Sequence, residues 1–272
     1  MKDPKTKEQE KNAIKKLILI ACIILCLIVL VISMFVFFRK VITDYKSELG
    51  YEEIQEAVID EDENSDGDDE EIVAPFTVDW DYLKSVNPEI VAWIYIPCID
   101  CSYPIVQAEY NEKYLHTTAY GKALFAGSII LDCDNSKDFT DPYSVLYGHN
   151  MKNGSMFGIL WHIPYQDAAA DDPYFWVLTP EYTMRYHMFS AFATTPSGDV
   201  YNFTLQRNTE FVEWCYKMKS YSYVDFGNFK FNKSSSVVVL STCGSTSAYR
   251  TVVLGVQDAK ITNTTSGLVV CK

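Results

Sequence analysis

The sequence predicts a mainly β domain, an eight-stranded closed barrel with helical insertions, preceded by one N-terminal transmembrane helix. Three observations predict it. One uninterrupted apolar run stands near the N-terminus, an acidic stretch separates it from the rest, and eight short β-type runs then follow with only a few helical pieces between them. Strands alternating with regular 10–15-residue helices, as in βαβ units, are not found.

The apolar run, Leu17 to Phe38, holds 22 residues without a charge. At ~1.5 Å per residue such a helix reaches about 33 Å, enough for a hydrocarbon core of roughly 30 Å. A cleaved signal peptide would need a shorter apolar segment and a small-residue cleavage site, whereas Arg39 and Lys40 follow directly. Lys2, Lys5, Lys7, Lys11, Lys15 and Lys16 precede the span. The positive-inside bias therefore leaves residues 1–16 in the cytoplasm and the remainder outside, at the cell membrane.

Residues 39–75 read as a stalk and linker. The segment 41–57 has helical character, and Asp60, Glu61, Asp62, Glu63, Asp66, Asp68, Asp69, Glu70 and Glu71 then carry nine of the negative charges behind a net charge of −13. Such a run repels itself and buries nothing, so it reads as a solvated spacer. With the acidity assigned to the spacer and no basic patch elsewhere, nucleic-acid binding has no support.

The folded domain is expected over 76–260, with 261–272 as a tail. Trp80, Leu83 and Val86 give 78–86 helical spacing, ended by Asn87-Pro88. The β-type runs are 91–97, 103–107, 127–132, 144–149, 174–180, 183–195, 235–243 and 250–258, rich in Val, Ile and aromatics and bounded by Gly, Pro, Asn or Asp. Residues 209–221 form the best helix, with an apolar stripe of Phe211, Val212, Cys215, Met218 and Tyr221.

Of eight cysteines, Cys22 and Cys26 lie in the span. The other six have no regular disulfide-scaffold spacing, and a domain of this size needs no staples. Cys98 and Cys101 have CxxC spacing, open to a redox pair or half a zinc site, yet no second pair completes four ligands. Cys215 lies on the helical stripe and Cys133 in a loop. Cys271 has no CaaX spacing, so the tail implies no lipid anchor.

Two strand ends carry chemistry. One run ends in His149, followed by the turn-prone NMKNGSMFG, and another ends in Cys243 after four apolar residues and before small polar ones. A thiol becomes a nucleophile when a neighbouring histidine or other cation favours its thiolate. Arg250, opening the next strand after a short loop, adds a permanent cation for a developing oxyanion. His116, His162 and His187 lack comparable flanking sequence.

YGHNM at 147–151, LSTC at 240–243 and an arginine opening the following strand resemble the catalytic signature of sortases. NPEIVAWI (87–94), YPIVQ (103–107), Asn111 to Leu115 and GSIILD (127–132) resemble class B members in order and spacing, so the likeness covers roughly 78–258. It implies a sortase barrel with no metal or organic cofactor and a Cys243–His149–Arg250 site. It also implies a groove lined by Asn111, Leu115, Tyr147, Ser241 and Thr242. The implied reaction cleaves a C-terminal sorting motif of surface proteins after Thr and transfers the acyl group to an amine of a cell-wall precursor, lipid-linked peptidoglycan. A pilus-type enzyme would use a pilin lysine instead. A papain-like or cell-wall peptidase would usually place its cysteine before its histidine and at a helix start, the reverse of the order here.

Overall fold

The computed structural model describes residues 4–60, 72–201, 203–243, 248–263 and 269–270. The acidic spacer falls almost wholly outside these residues. The chain forms two compact units, 1–47 and 48–272. The first is helical and belongs to α1 (Pro4–Val58). Within α1, Lys15–Arg39 is long and apolar enough to cross a membrane, with mean hydropathy 3.5. Its large side chains are exposed all round the helix, the arrangement a lipid-facing segment requires.

The second unit begins before Phe76, the start that composition indicates. Tyr51, in the last turns of α1, is buried, and its hydroxyl donates to Gly127 O at 2.7 Å. Its ring meets those of Tyr103 and Tyr120 at 5.3 and 5.8 Å. Burial pushes the Tyr51 hydroxyl up to about 12. After it come β1 (Ile59–Asp60), which pairs with β2 (Thr77–Val78), and α2 (Trp80–Val86). Asp79 caps α2 by accepting from Tyr82 N, and of the expected stripe only Leu83 is buried, because a two-turn helix touches the barrel along one residue.

The barrel strands are β3 (Ile90–Ile96), β4 (Cys101–Val106), β5 (Ile129–Leu131), β6 (Tyr143–His149), β7 (Tyr174–Leu178), β8 (Tyr182–Thr194), β9 (Val237–Cys243) and β10 (Arg250–Thr262). They pair in the order β10-β8-β7-β3-β4-β5-β6-β9, and β9 returns to β10, so the eight expected strands close on themselves. The pairs β4–β5 and β6–β9 are parallel and the others antiparallel. α3 (His162–Gln166) precedes β7, and α4 (Thr209–Ser220) lies between β8 and β9. β10 runs past the expected boundary at 260 to Thr262, and β11 (Val269–Val270) pairs back on its end.

Alternation along each strand divides the core into layers. Val238 and Leu240 of β9, Leu146 of β6 and Val253 of β10 fill the interior. Val237 and Val239 of β9, Val145 of β6, and Val252 and Leu254 of β10 face outward against α4, whose Phe211, Trp214, Cys215 and Met218 are buried. Burial on both faces explains why β9 reads as an unbroken VVVL run. Each large side chain so buried stabilises the fold by roughly 1.5–3 kcal/mol. Asn208 caps α4 by accepting from Phe211 N at 3.1 Å. Of the stripe expected on this helix, Tyr221 is its exposed C-cap, and Trp214 takes the buried place.

Candidate active site

β6 and β9 run parallel through seven matched pairs, from Tyr143↔Val237 to His149↔Cys243. His149 and Cys243 are each the last residue of their strand, so the register alone brings them side by side. β9 and β10 run antiparallel with Val252 opposite Ser241. Thr251 N then donates to Thr242 Oγ1, and Arg250, the first residue of β10, lies two residues beyond the last β9–β10 pair. Val145, Val239 and Val252 pack against α4, and even steps along β6 and β10 assign His149 and Arg250 to that same face. Three adjacent strands, each about 4.8 Å from the next, thus bring the three predicted positions to one end of the sheet. Residues 244–247, between Cys243 and Arg250, lie outside the described ones.

His149 is buried, and its Nε2 lies 2.7 Å from Leu115 O. A carbonyl only accepts, so Nε2 carries the proton and Nδ1 is the nitrogen left for chemistry. Among the described residues Nδ1 has no hydrogen-bond partner. Burial lowers the His149 pKa below the usual imidazole value, the bond to Leu115 O opposes this, and the charge of His116 adds to the lowering.

Leu115 O is held in place by tight backbone packing. Gly127 has φ +59°, and a Cβ there would collide with the carbonyl oxygens of Leu115 and Tyr114. Ser128 N donates to Tyr114 O at 3.1 Å, closing the loop against β5. Gly148, beside His149, lies so close to Phe157 and Ile129 that a side chain there would strike both. The glycines of YGH and AGS thus fix the backbone on both sides of the imidazole.

The structure gives the remaining predicted groove residues distinct surroundings. Asn111 donates from Nδ2 to Asp132 Oδ2 at 3.0 Å and accepts from Cys133 N at 2.9 Å, tying its segment to the end of β5. Tyr147 is half-buried on the His149 face, with the Tyr201 ring 6.5 Å away. Ser241 is fully buried, its hydroxyl 2.7 Å from Tyr201 Oη. Thr242 is buried, and its Oγ1 accepts from Thr251 N at 3.0 Å, which locks β9 to β10 beside Cys243. Sequence reasoning missed Tyr201. It lies in a 3-10 turn, Asp199–Tyr201, with no periodic pattern to mark it. It also passed over His116, which stacks on His149 with ring centroids 5.4 Å apart.

Cys98, Cys101, Cys133 and Cys215 are free thiols. Cys215 packs in the α4 core, and burial pushes it up to about 12. Asp132, Cys133 and Asp134 bring three ligand atoms within 4.8 Å of one another. Both Asp132 oxygens already accept internal hydrogen bonds, from Asn111 Nδ2 and Asp134 N.

A Sortase domain family model matches residues 94–258, more than half of the chain. This chain belongs to the sortase family. The sortase B of Listeria monocytogenes is 29% identical over 180 residues, covering 66% of this chain and 73% of that protein. The sortase B of Staphylococcus aureus is 24% identical over 166 residues, covering 59% and 66%. Among solved structures, sortase B from B. anthracis in complex with AAEK2 superposes with a TM-score of 0.66 at 28% identity, over 78% of this chain and 96% of that one. A Staphylococcus aureus sortase B–substrate complex has a TM-score of 0.67 at 21% identity, covering 79% and 98%, a likeness of fold. The family, the class B relatives and the closed barrel make this protein a class B sortase, a cysteine transpeptidase.

Proposed function

We propose that this sortase is held in the cell membrane by α1 with residues 1–16 in the cytoplasm. Its outward-facing barrel would cleave a C-terminal sorting motif of surface proteins after Thr and pass the acyl group to an amine of a cell-wall precursor. The observation that carries this reading is the β6–β9 register, which ends on the pair His149↔Cys243, with Arg250 opening the neighbouring strand. The lysines before the span and the apolar helix support the orientation.

In the proposed reaction the Cys243 thiol gives its proton to His149 Nδ1, and its sulfur attacks the carbonyl carbon after Thr, forming a C–S bond and a tetrahedral oxyanion. Arg250 lies across the strand pair from the nucleophile, where its guanidinium fork stabilises that oxyanion. The oxyanion collapses, the C–N bond breaks, and protonated His149 gives its Nδ1 proton to the leaving amine. A thioester remains. The acceptor amine then attacks the thioester, the C–S bond breaks, and His149 takes the proton released as the new amide forms. Leu115 O holds the imidazole through Nε2 in both half-reactions, so the ring need not turn between them. Asn111, Leu115, Tyr147, Ser241 and Thr242 belong to the proposed sorting-signal groove, with Ser241 and Thr242 acting as its buried supports.

The test is to mix the full-length protein in detergent with a sorting-motif peptide, quench in acid and measure mass. The wild type is expected to gain the acyl fragment on the peptide containing Cys243. Cys243→Ala should show neither adduct nor cleavage. An adduct on another cysteine contradicts the assignment.

A further inference from the structure

We propose that His116 and Phe125 form an aromatic clamp that positions the His149 imidazole for proton transfer; this rests on the proposed role of His149. Neither residue belongs to the motifs that point to the site, and the three rings come from separate places in the chain. Phe125 and His149 have centroids 5.5 Å apart at 17°, His116 and His149 5.4 Å at 10°, and His116 and Phe125 5.3 Å at 19°. Three nearly parallel rings thus sit at the corners of a nearly equilateral triangle, within the range where offset stacking is favourable.

The clamp has its own scaffold. His116 Nδ1 lies 3.3 Å from Phe125 O, and Leu124 N donates to His116 O at 2.9 Å. Thr117 and Ala123 form a bridge, and Thr118 N donates to Lys122 O at 2.8 Å. Residues 116–125 therefore fold back on themselves as a small hairpin whose two ends carry the clamping rings. The same loop supplies Leu115 O, so one segment holds Nε2 by a hydrogen bond and the ring face by stacking. Phe125 is 58% exposed, so the clamp lies at the surface of the domain.

The clamp serves two ends. A hydrogen bond to Nε2 alone leaves the ring free to pivot about that bond, and stacking removes the pivot, so Nδ1 keeps one direction. His116 is also titratable, and its charge, when present, disfavours a second cation on His149. Among the described residues, titratable or charged groups sharing this face include His116 from the loop, Tyr147 on β6, Tyr201 beside it and Arg250 at the start of β10.

The experiment compares wild type with His116→Phe, His116→Ala and Phe125→Ala in the full-length protein. It measures kcat and KM for sorting-peptide cleavage and follows the His149 ring by NMR titration. His116→Ala loses both stacking and charge. It should lower kcat about tenfold, part of the ~10²–10⁴ that positioned proton transfer contributes, with KM unchanged. His149 should also titrate at higher pH, because less burial and one fewer cation both favour its charged form. Phe125→Ala should give a loss of kcat in the same direction. His116→Phe keeps the stack, so kcat should return to near wild type while the upward shift from the missing charge remains. Unchanged kcat and unchanged His149 titration in His116→Ala would overturn the clamp. A shifted titration with unchanged kcat would instead overturn His149 as the proton carrier. Failure of His116→Phe to restore kcat would overturn stacking as the means.

Discussion

Two turns of this barrel carry cysteines at strand ends, and they behave in opposite ways. The β3–β4 turn holds Cys98 and Cys101, a CxxC pair whose spacing draws attention in any sequence. Cys101 is buried, with its thiol donating toward Met156 O at 3.7 Å, and burial drives its pKa well above the ordinary thiol value. Burial pushes Cys98 up to about 11, and the charge of Asp172 adds to it. Both remain protonated at neutral pH, and among the described residues the charges that shift them, Asp172 and Asp100, are negative and disfavour their thiolates. The β9 end holds a lone cysteine with no motif spacing around it. Its cross-strand partner is a histidine, and an arginine opens the strand on its other side. Cysteine spacing says what a pair could bridge, whereas register says which charges surround a thiol, and the second decides reactivity.

The largest effect that could break this contrast is expected at Arg250. Arg250→Lys keeps the charge and loses the planar fork, so kcat should fall by ~10²-fold or more while the melting midpoint stays put. Near-normal turnover would mean that the β9–β10 register does not bring the guanidinium to the reacting carbonyl. A smaller effect, of a different kind, is expected in the β3–β4 turn. Cys101→Ser sets a more strongly polar group in a buried site, so stability should fall by about 1–3 kcal/mol in urea unfolding with kcat unchanged. Cys98→Ser, at a half-buried position, should change stability by no more than ~0.5 kcal/mol and turnover by less than about twofold. Loss of turnover in either variant would assign the CxxC pair a part in catalysis.

The contrast also shows which features were legible in the sequence. All eight barrel strands were readable, because Val, Ile and aromatic runs bounded by turn residues leave few other ways to bury those side chains. The helix at 209–221 was readable from its stripe. His149 and Cys243 stood out because each ends a strand, before a turn-prone stretch and before small polar residues respectively, and Arg250 because it opens the next strand after a short loop. Tyr51 was hidden, because the helical spacing of 41–57 reads as a stalk and does not show which of its side chains docks on the barrel. His116 and Tyr201 were hidden for a related reason. Their contacts depend on how loops fold over the sheet, and loop composition does not encode which ring meets which. The expected boundary at 260 falls within β10, which continues to Thr262.

The most direct test of the central claim, that position and not spacing makes one thiol reactive, is a timed alkylation. Full-length protein is treated with limiting iodoacetamide at pH 7, quenched at intervals, digested and mapped by mass, with His149→Ala run in parallel. Raising a thiol from 9.0 to about 11 cuts its thiolate fraction about a hundredfold, so Cys98, Cys101 and Cys215 should be nearly silent. Cys243 is expected to react first in the wild type, and markedly more slowly once His149 is removed. Alkylation of Cys98 or Cys101 at a rate equal to that of Cys243, or a Cys243 rate indifferent to His149, would contradict the account.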